Sequence, residues 1–287
     1  MPIAEEKTSG GITYLERPGT GPVVVFLHGI GSNASSFLAL FQHLPPDARL
    51  IAWNAPGYGG SAPLARTWPE AQDYAAALSG LFDRLQLSDV TLVGHSLGTL
   101  IGAAFAARHP DRLARLVLAS CAVGYRVPPG GTLPGNVGRR IEELELQGPD
   151  AFAAERAPRL VFEPRLNLDI VAQVERAMSQ VERGGYAQAV RMLASGDLLA
   201  LMAQVHLETT FIIGINDRVT PEQQTLDAAL AWGKANGKSP GITRINQAGH
   251  AVYLQKPQDF AAALALAESA GTAEGSSARH GAKGGEA

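Results

Sequence analysis

The residues best suited to chemistry in this 287-residue chain form the pentapeptide Gly94-His95-Ser96-Leu97-Gly98. An apolar run over residues 90–93 leads into it, and a helical pattern follows it up to Pro110, where proline ends the helix. A tight strand-to-helix turn exposes a serine hydroxyl, and glycine on both sides leaves room for the neighbouring chain. The pattern predicts that Ser96 is a nucleophile, and an ordinary serine in a glycine turn is the alternative.

A serine nucleophile needs a base within hydrogen-bond reach and a third group that orients the base. Asp217 follows the apolar run 210–215, and His250 follows a strand-like segment over residues 242–245. Open α/β sheets build their sites at the carboxyl ends of the strands. The chain order Ser96, Asp217, His250 is that of nucleophile, acid and base in one class of hydrolase. A turn-forming role for Asp217 and a surface position for His250 are the alternatives.

Acyl transfer also needs hydrogen-bond donors for the charge that develops on the carbonyl oxygen. The N–H of Leu97 directly follows the nucleophile at a helix N-terminus. A second donor is expected in the loop after residues 23–27, where His28-Gly29-Ile30-Gly31 lets the main chain approach a substrate. We assign the oxyanion hole to the backbone amides of Ile30 and Leu97, and we expect His28 to brace the loop.

The elements that position these residues follow from hydrophobic periodicity. Buried parallel strands are predicted over residues 23–27, 50–53, 90–93, 116–119 and 211–215, with helices between them. This alternation predicts an α/β fold, a mostly parallel central sheet flanked by helices. Between about residues 124 and 206 four amphipathic segments follow one another without a strand, which predicts an all-helical insertion over the sheet.

The same patterns divide the chain into three parts. Residues 1–123 and 207–270 are assigned to the α/β core, and residues 124–206 to a helical cap. Residues 271–287 are rich in glycine, alanine, serine and charge and lack apolar periodicity, so we expect a disordered tail.

Composition narrows the classes of function. With 46% hydrophobic and 18% charged residues, the chain has ample core for a large globular domain. A net charge of -3 gives no excess of positive charge that would attract nucleic acid or an anionic membrane, so neither is expected as a partner. The single cysteine, Cys121, excludes an internal disulfide and a multi-cysteine metal site. The N-terminus lacks the apolar stretch of a secretory signal, so we expect a cytoplasmic protein.

Five motifs in order resemble those of α/β-hydrolase-fold enzymes with a helical cap, and the resemblance covers nearly all of residues 11–268. They are His28-Gly29-Ile30-Gly31, Asn54-Ala55-Pro56-Gly57-Tyr58-Gly59-Gly60-Ser61, Gly94-His95-Ser96-Leu97-Gly98, Gly214 with Asp217 and Pro221, and Gly249-His250. One departure is Asn54, because the family usually has aspartate there. That position is normally structural, so the departure leaves the catalytic triad untouched.

The resemblance excludes some reactions and leaves several others possible. Serine at the nucleophile position argues against haloalkane dehalogenases and epoxide hydrolases, which need a carboxylate there. Capped members with serine include 3-oxoadipate enol-lactonases, carboxylesterases and hydrolases of carbon–carbon bonds in ring-cleavage products. We expect a serine esterase or lactonase that uses no metal or organic cofactor and forms an acyl-enzyme on Ser96. A carbon–carbon bond hydrolase of aromatic catabolism and a non-enzymatic small-ligand receptor are the alternatives.

The cap is expected to contact the part of a small-molecule substrate that does not react. Its many arginines suit a carboxylated substrate, although solvated or glutamate-paired arginines are the alternative. Candidate substrate contacts are Trp53, Phe37, Arg126, Leu133 and Phe162, each of which could instead belong to the core or the surface. The sequence leaves the oligomeric state open, a homodimer included.

Overall fold

The computed structural model describes residues 4–264, which form one eight-stranded sheet with flanking helices. The strands are β1 (Glu5–Ser9), β2 (Ile12–Arg17), β3 (Val23–Leu27), β4 (Arg49–Trp53), β5 (Val90–His95), β6 (Leu113–Ala119), β7 (Thr209–Gly214) and β8 (Gly241–Ile245). Their order across the sheet is β1-β2-β4-β3-β5-β6-β7-β8. All neighbours from β4 to β8 pair in parallel, whereas β1 and β2 are antiparallel. The predicted α/β fold with a mostly parallel sheet is confirmed.

Helices occupy most of the connections between the strands. They are α1 (Leu38–Phe41), α2 (Ala71–Arg84), α3 (Leu97–Arg108), α4 (Gly135–Arg156), α5 (Leu168–Met178), α6 (Arg183–Ser195), α7 (Leu198–Met202), α8 (Glu222–Asn236) and α9 (Val252–Gln255), with a further helical segment over residues 257–264. No helix of the described range has the length and apolar character needed to cross a membrane.

The strand predictions depended on continuous apolar runs, and this explains which strands they missed. Every residue of β5 is buried, as a strand in the centre of a covered sheet should be. By contrast, β1 lies at the edge of the sheet with polar residues and mostly exposed positions, so it has no apolar run to detect. The sequence analysis predicted neither β1 nor β2, the two N-terminal strands.

The segment between β6 and β7 is helical throughout its regular elements, from α4 to α7. Gly148 breaks α4 with a φ of 76° just before Pro149, which separates the amphipathic segments predicted near residues 137–146 and 149–160. The segment predicted near residues 186–205 is also divided, because Asp197 caps a new helix by accepting a hydrogen bond from the Ala200 N–H. The tail predicted over residues 271–287, and residues 265–270 of the predicted core, lie outside the described range.

Two glycines bring the helical segment against the sheet domain. Gly57, with a φ of 82°, lies in the loop after β4, and Gly185 is buried in the first turn of α6. A Cβ atom on Gly185 would lie 1.9 Å from the Gly57 carbonyl oxygen, so neither side of this contact has room for a side chain. One turn later, the Gln188 side chain donates to the carbonyl oxygens of Leu64 and Arg66, each at 2.7 Å. These contacts fix α6 over the loop that follows β4.

We predict that Gly185→Ala lowers the free energy of unfolding by at least about 1–3 kcal/mol, because the added methyl group must push the two backbones apart. Gly184→Ala is the matched control, since no atom lies within 4 Å of its Cβ position. That control should be neutral or stabilising by up to about 1 kcal/mol. Urea unfolding of both variants measures the difference, and equal stabilities would contradict the close contact.

Candidate active site

Ser96 stands between β5 and α3 with a backbone conformation that non-glycine residues rarely adopt, φ 53° and ψ −116°. The turn is tight because glycine flanks it. A Cβ atom on Gly98 would lie 2.4 Å from the Leu27 carbonyl oxygen, and one on Gly94 would lie 2.5 Å from the Gly98 carbonyl oxygen. Strand β3, strand β5 and helix α3 therefore meet at distances that exclude side chains, and Ser96 is presented at the carboxyl edge of the sheet.

Asp217 and His250 meet at the same edge. Asp217 follows β7, and its Oδ2 atom accepts a 2.8 Å hydrogen bond from the His250 Nδ1–H. Its Oδ1 atom accepts from the backbone N–H groups of Val219 and Thr220, at 2.8 and 3.0 Å. Burial would by itself raise the pKa of this carboxyl group, but His250 and the two amides lower it to about 2. Asp217 is therefore a buried carboxylate with a fixed orientation.

Thr220 is a further member of this cluster that the sequence analysis missed. Its hydroxyl oxygen lies 2.9 Å from Asp217 Oδ2, 3.2 Å from His250 Nδ1 and 3.1 Å from the carbonyl oxygen of Ser120. The available signal was the spacing, since a threonine three residues after an aspartate can hydrogen-bond the same carboxylate from both its amide and its hydroxyl. Thr220 thus helps to hold the carboxylate against the imidazole.

A cavity of about 560 Å³ opens above this cluster. Ser96 and His250 both line it, although only 5% and 4% of their surfaces remain exposed. Among the described residues no hydrogen bond joins the Ser96 hydroxyl to His250; such bonds often tighten only when a substrate binds. The structure thus brings the predicted nucleophile, acid and base to one site at the floor of this cavity.

Ile30 and Leu97 line the same cavity beside Ser96. Leu97 is the first residue of α3, so its N–H has no acceptor within the helix. The Gly29 carbonyl oxygen accepts a 2.8 Å hydrogen bond from His28 Nδ1–H, and in a trans peptide this aims the Ile30 N–H the opposite way. The Tyr58 hydroxyl fixes the next peptide by donating to the Ile30 carbonyl oxygen at 2.7 Å. Ile30 and Leu97 therefore lie beside Ser96 in the cavity lining, and side-chain hydrogen bonds from His28 and Tyr58 fix the two peptides that flank Ile30.

His28 has the bracing position expected from the sequence. Its Nε2 atom accepts from the Ala55 N–H at 3.0 Å while its Nδ1–H donates to Gly29. Burial lowers the pKa of this imidazole to about 4, so the ring is neutral. Its two hydrogen bonds join the loop after β3 to the loop after β4. The described residues contain no group of three or more His, Cys, Asp or Glu side chains arranged to hold a metal ion.

None of the five predicted substrate contacts lines the cavity. Trp53 and Phe37 are fully buried core residues, and Phe37 stacks on Tyr253 with ring centroids 4.6 Å apart. Arg126 is 61% exposed and forms a 3.1 Å ion pair with Asp197. Leu133 packs against the core, and Phe162 is anchored through its backbone N–H to Gln255.

Arginines form much of the roof instead. The cavity is lined by Arg140, Arg156 and Arg159 from α4 and the turn after it, and by Arg218 from the loop that carries Asp217. Arg156 pairs with Glu143 and Arg159 with Glu155. Arg140 and Arg218 have no carboxylate within ion-pair distance among the described residues, so two unpaired cations face the cavity. The remaining lining is largely apolar and aromatic, with Tyr125, Leu160, Met178, Tyr186, Leu193 and Val219 among it.

Comparison with known proteins agrees with this geometry. A model of the alpha/beta hydrolase family matches residues 24–263. The pimeloyl-(acyl-carrier protein) methyl ester esterase of Chromobacterium violaceum is 28% identical over 257 residues, covering 88% of this chain and 96% of that protein. A 2-hydroxy-6-oxononadienedioate/2-hydroxy-6-oxononatrienedioate hydrolase 2 of Pseudomonas putida is 28% identical over 250 residues, covering 83% and 84%.

The fold comparison agrees as well. The crystal structure of the enol-lactonase from Burkholderia xenovorans LB400 superposes with a TM-score of 0.79 and covers 92% of this chain and 100% of that one. At 19% sequence identity this likeness shows the shared fold.

We predict that Thr220→Val lowers kcat for an activated ester about tenfold, because the Asp217 carboxylate loses one of its hydrogen bonds. Thr220→Ser keeps the hydroxyl and should stay within about threefold of the wild type. Steady-state kinetics with a p-nitrophenyl ester provide the measurement. If the serine variant loses as much activity as the valine variant, the effect comes from packing and not from the hydroxyl group.

Proposed function

The chain belongs to the alpha/beta hydrolase family, and from that premise we propose that it is a serine hydrolase of ester or lactone bonds in small carboxylated molecules. One observation carries the proposal. Ser96 stands on a strained turn at the floor of a cavity of about 560 Å³, and His250, oriented by Asp217 at 2.8 Å, lines the same cavity. A nucleophile, a base and an orienting carboxylate in this arrangement support acyl transfer.

In the proposed reaction the Ser96 Oγ atom attacks the acyl carbon while its proton passes to His250 Nε2. The negative charge on the former carbonyl oxygen is held by the N–H groups of Ile30 and Leu97. Collapse of this intermediate breaks the bond to the leaving oxygen, which takes the proton from His250 and leaves an acyl group on Ser96. Water, activated by His250, then attacks the acyl carbon and releases the acid. Asp217 keeps the imidazole in the Nδ1–H tautomer and stabilises the imidazolium.

The roof supports a substrate with a carboxylate remote from the reacting bond. A guanidinium is the preferred partner of a carboxylate, and Arg140 and Arg218 face the cavity without a protein carboxylate. The Pseudomonas putida relative is named for a dioate, a molecule with two carboxylates, which agrees with such a roof. In this proposal the core performs the chemistry and the cap selects the substrate.

Cleavage of a carbon–carbon bond in a ring-fission acid is the second candidate, because that class also carries a carboxylate that the arginines could hold. A purified-protein panel of p-nitrophenyl esters, enol-lactones and ring-fission acids separates the two. Turnover of esters or lactones alone supports the main proposal, and turnover of ring-fission acids alone supports the alternative. A cytoplasmic location and a homodimer stay predictions.

Replacement of Ser96 by alanine is expected to lower kcat by on the order of a millionfold, because the members of a triad act as a unit. A fluorophosphonate probe should label the wild-type protein at Ser96 and leave Ser96→Ala unlabelled. Peptide mapping of the labelled protein provides the measurement. If the wild type is neither labelled nor active, a small-ligand receptor becomes the better account.

Arg140→Gln is predicted to raise KM for a carboxylated ester by a factor that corresponds to roughly 1–3 kcal/mol. The ester of a monocarboxylic acid of equal length, which lacks the second carboxylate, should be nearly unaffected. Arg139→Gln is the matched control, because the side chain of Arg139 is exposed and lies outside the cavity. If the two substrates respond equally to Arg140→Gln, this arginine does not bind the carboxylate.

A further inference from the structure

A second, much smaller cavity lies behind His250, and we call it the rear chamber. Its volume is about 30 Å³, and its polar lining consists of Ser32, Ser36, His95, His250 and Tyr253, with Gly29 contributing main chain. A space of this size holds a single water molecule when polar partners surround it. The chamber adjoins the substrate cavity, because Gly31, Leu160 and His250 line both.

His95 connects the nucleophile turn to the main chain of His250. It directly precedes Ser96, and its Nε2 atom lies 2.8 Å from the His250 carbonyl oxygen. A carbonyl oxygen only accepts, so Nε2 carries the proton and donates it. The two imidazole rings also pack together, with centroids 4.8 Å apart. The main chain of His250 is thus hydrogen-bonded to His95, the residue directly before Ser96.

This tautomer leaves His95 Nδ1 as an acceptor that has no protein partner among residues 4–264. The atom is buried, and it faces Gly29, since a Cβ placed on that glycine would lie 3.2 Å from it. Burial lowers the pKa of His95 to about 3, so the ring does not take up a second proton at neutral pH. An unsatisfied buried acceptor destabilises the folded protein, and a donor in the chamber would remove that penalty.

The hydroxyl groups of the chamber have no proton left to donate to His95. Ser36 donates to the Asn33 carbonyl oxygen at 2.8 Å. Ser32 and Tyr253 in turn donate to the Ser36 hydroxyl oxygen, at 2.8 and 3.1 Å. Each hydroxyl has one proton and all three are committed, whereas lone pairs on Ser32 and Tyr253 stay available. The missing partner must therefore donate to both sides, which a water molecule can do.

We infer that the rear chamber is a binding site for one water molecule, and that His95, completed by this water, is a positioning residue that fixes the main chain of His250. The water donates one proton to His95 Nδ1 and the other to a hydroxyl oxygen of the chamber. This keeps the proton of His95 on Nε2, where the bond to the His250 carbonyl oxygen requires it. The inference rests on the proposed function, in which His250 is the base.

Two substitutions of His95 separate positioning from folding. In His95→Gln the side-chain amide can still donate from near the Nε2 position, whereas in His95→Asn the shorter amide cannot reach the His250 carbonyl oxygen. His43→Asn makes the same chemical change at an exposed histidine. Titration with a fluorophosphonate probe counts the active sites of each protein, so kcat is expressed per labelled site.

We expect His95→Asn to lower kcat per labelled site by about 10- to 100-fold with KM within about twofold, because a small misplacement of the base has effects of this size. His95→Gln should recover most of kcat, and His43→Asn should equal the wild type. A His95→Asn variant that loses only labelled sites, with normal kcat per site, would show a merely structural role and overturn the inference. An unlabelled, inactive wild type would instead refute the proposed function.

A high-resolution crystal structure of the wild-type protein tests the water directly and does not depend on activity. One density peak within hydrogen-bond distance of His95 Nδ1 and of Ser32 or Tyr253 is expected. A chamber without density would overturn the inference, as would a direct hydrogen bond from a side-chain hydroxyl to Nδ1.

Discussion

The strained turn at Ser96 is the constraint on which the rest of the site depends. A residue held in such a conformation costs about 1–3 kcal/mol, so the surroundings must fix it from several sides. Its N–H donates to the Ala119 carbonyl oxygen of β6, and its own carbonyl oxygen accepts from both the amide and the hydroxyl of Thr99. Gly94 and Gly98 let β3 and α3 close around it. The position of Ser96, the proposed nucleophile, is thus set by contacts of its backbone and does not depend on the helical segment between β6 and β7.

The sheet order then determines where the acid and the base can come from. Asp217 follows β7, which lies two strands from β5, and adjacent strands are about 4.8 Å apart. A carboxylate at that distance cannot reach the serine, so the imidazole of His250 has to span the gap from the loop after β8. The Thr220 hydroxyl, which donates to Asp217, also lies 3.1 Å from the carbonyl oxygen of Ser120, directly after the intervening β6, so the two strand ends are close together. The strand order of the sheet and the order of Ser96, Asp217 and His250 along the chain are therefore linked.

Much of this could be predicted from the sequence because it depends on local backbone chemistry. A glycine-flanked serine after an apolar run, and an aspartate after another, specify turns at strand ends whatever the remaining residues do. The roof could not be predicted in the same way. Periodicity locates helices, but which face meets the cavity depends on how α4 and α6 dock, and Arg139 and Arg140 differ only by that rotation. Trp53 and Phe37 lie in the core and do not line the cavity, and the sequence does not distinguish an apolar side chain in a core from one in a cavity wall.

The hydrogen bonds around Asn54 explain why the chain departs from the family pattern at this position. Asn54 Oδ1 accepts from the Ala34 N–H at 2.8 Å, while its Nδ2 donates to the Thr13 hydroxyl at 2.9 Å. The proton of that hydroxyl is already used, since Thr13 donates to the Gly59 carbonyl oxygen at 2.6 Å. An aspartate at position 54, which is almost fully buried, could accept from that hydroxyl only if the proton turned away from the Gly59 carbonyl oxygen. The amide avoids this competition, so Thr13 and Asn54 are expected to change together in relatives that carry the acid.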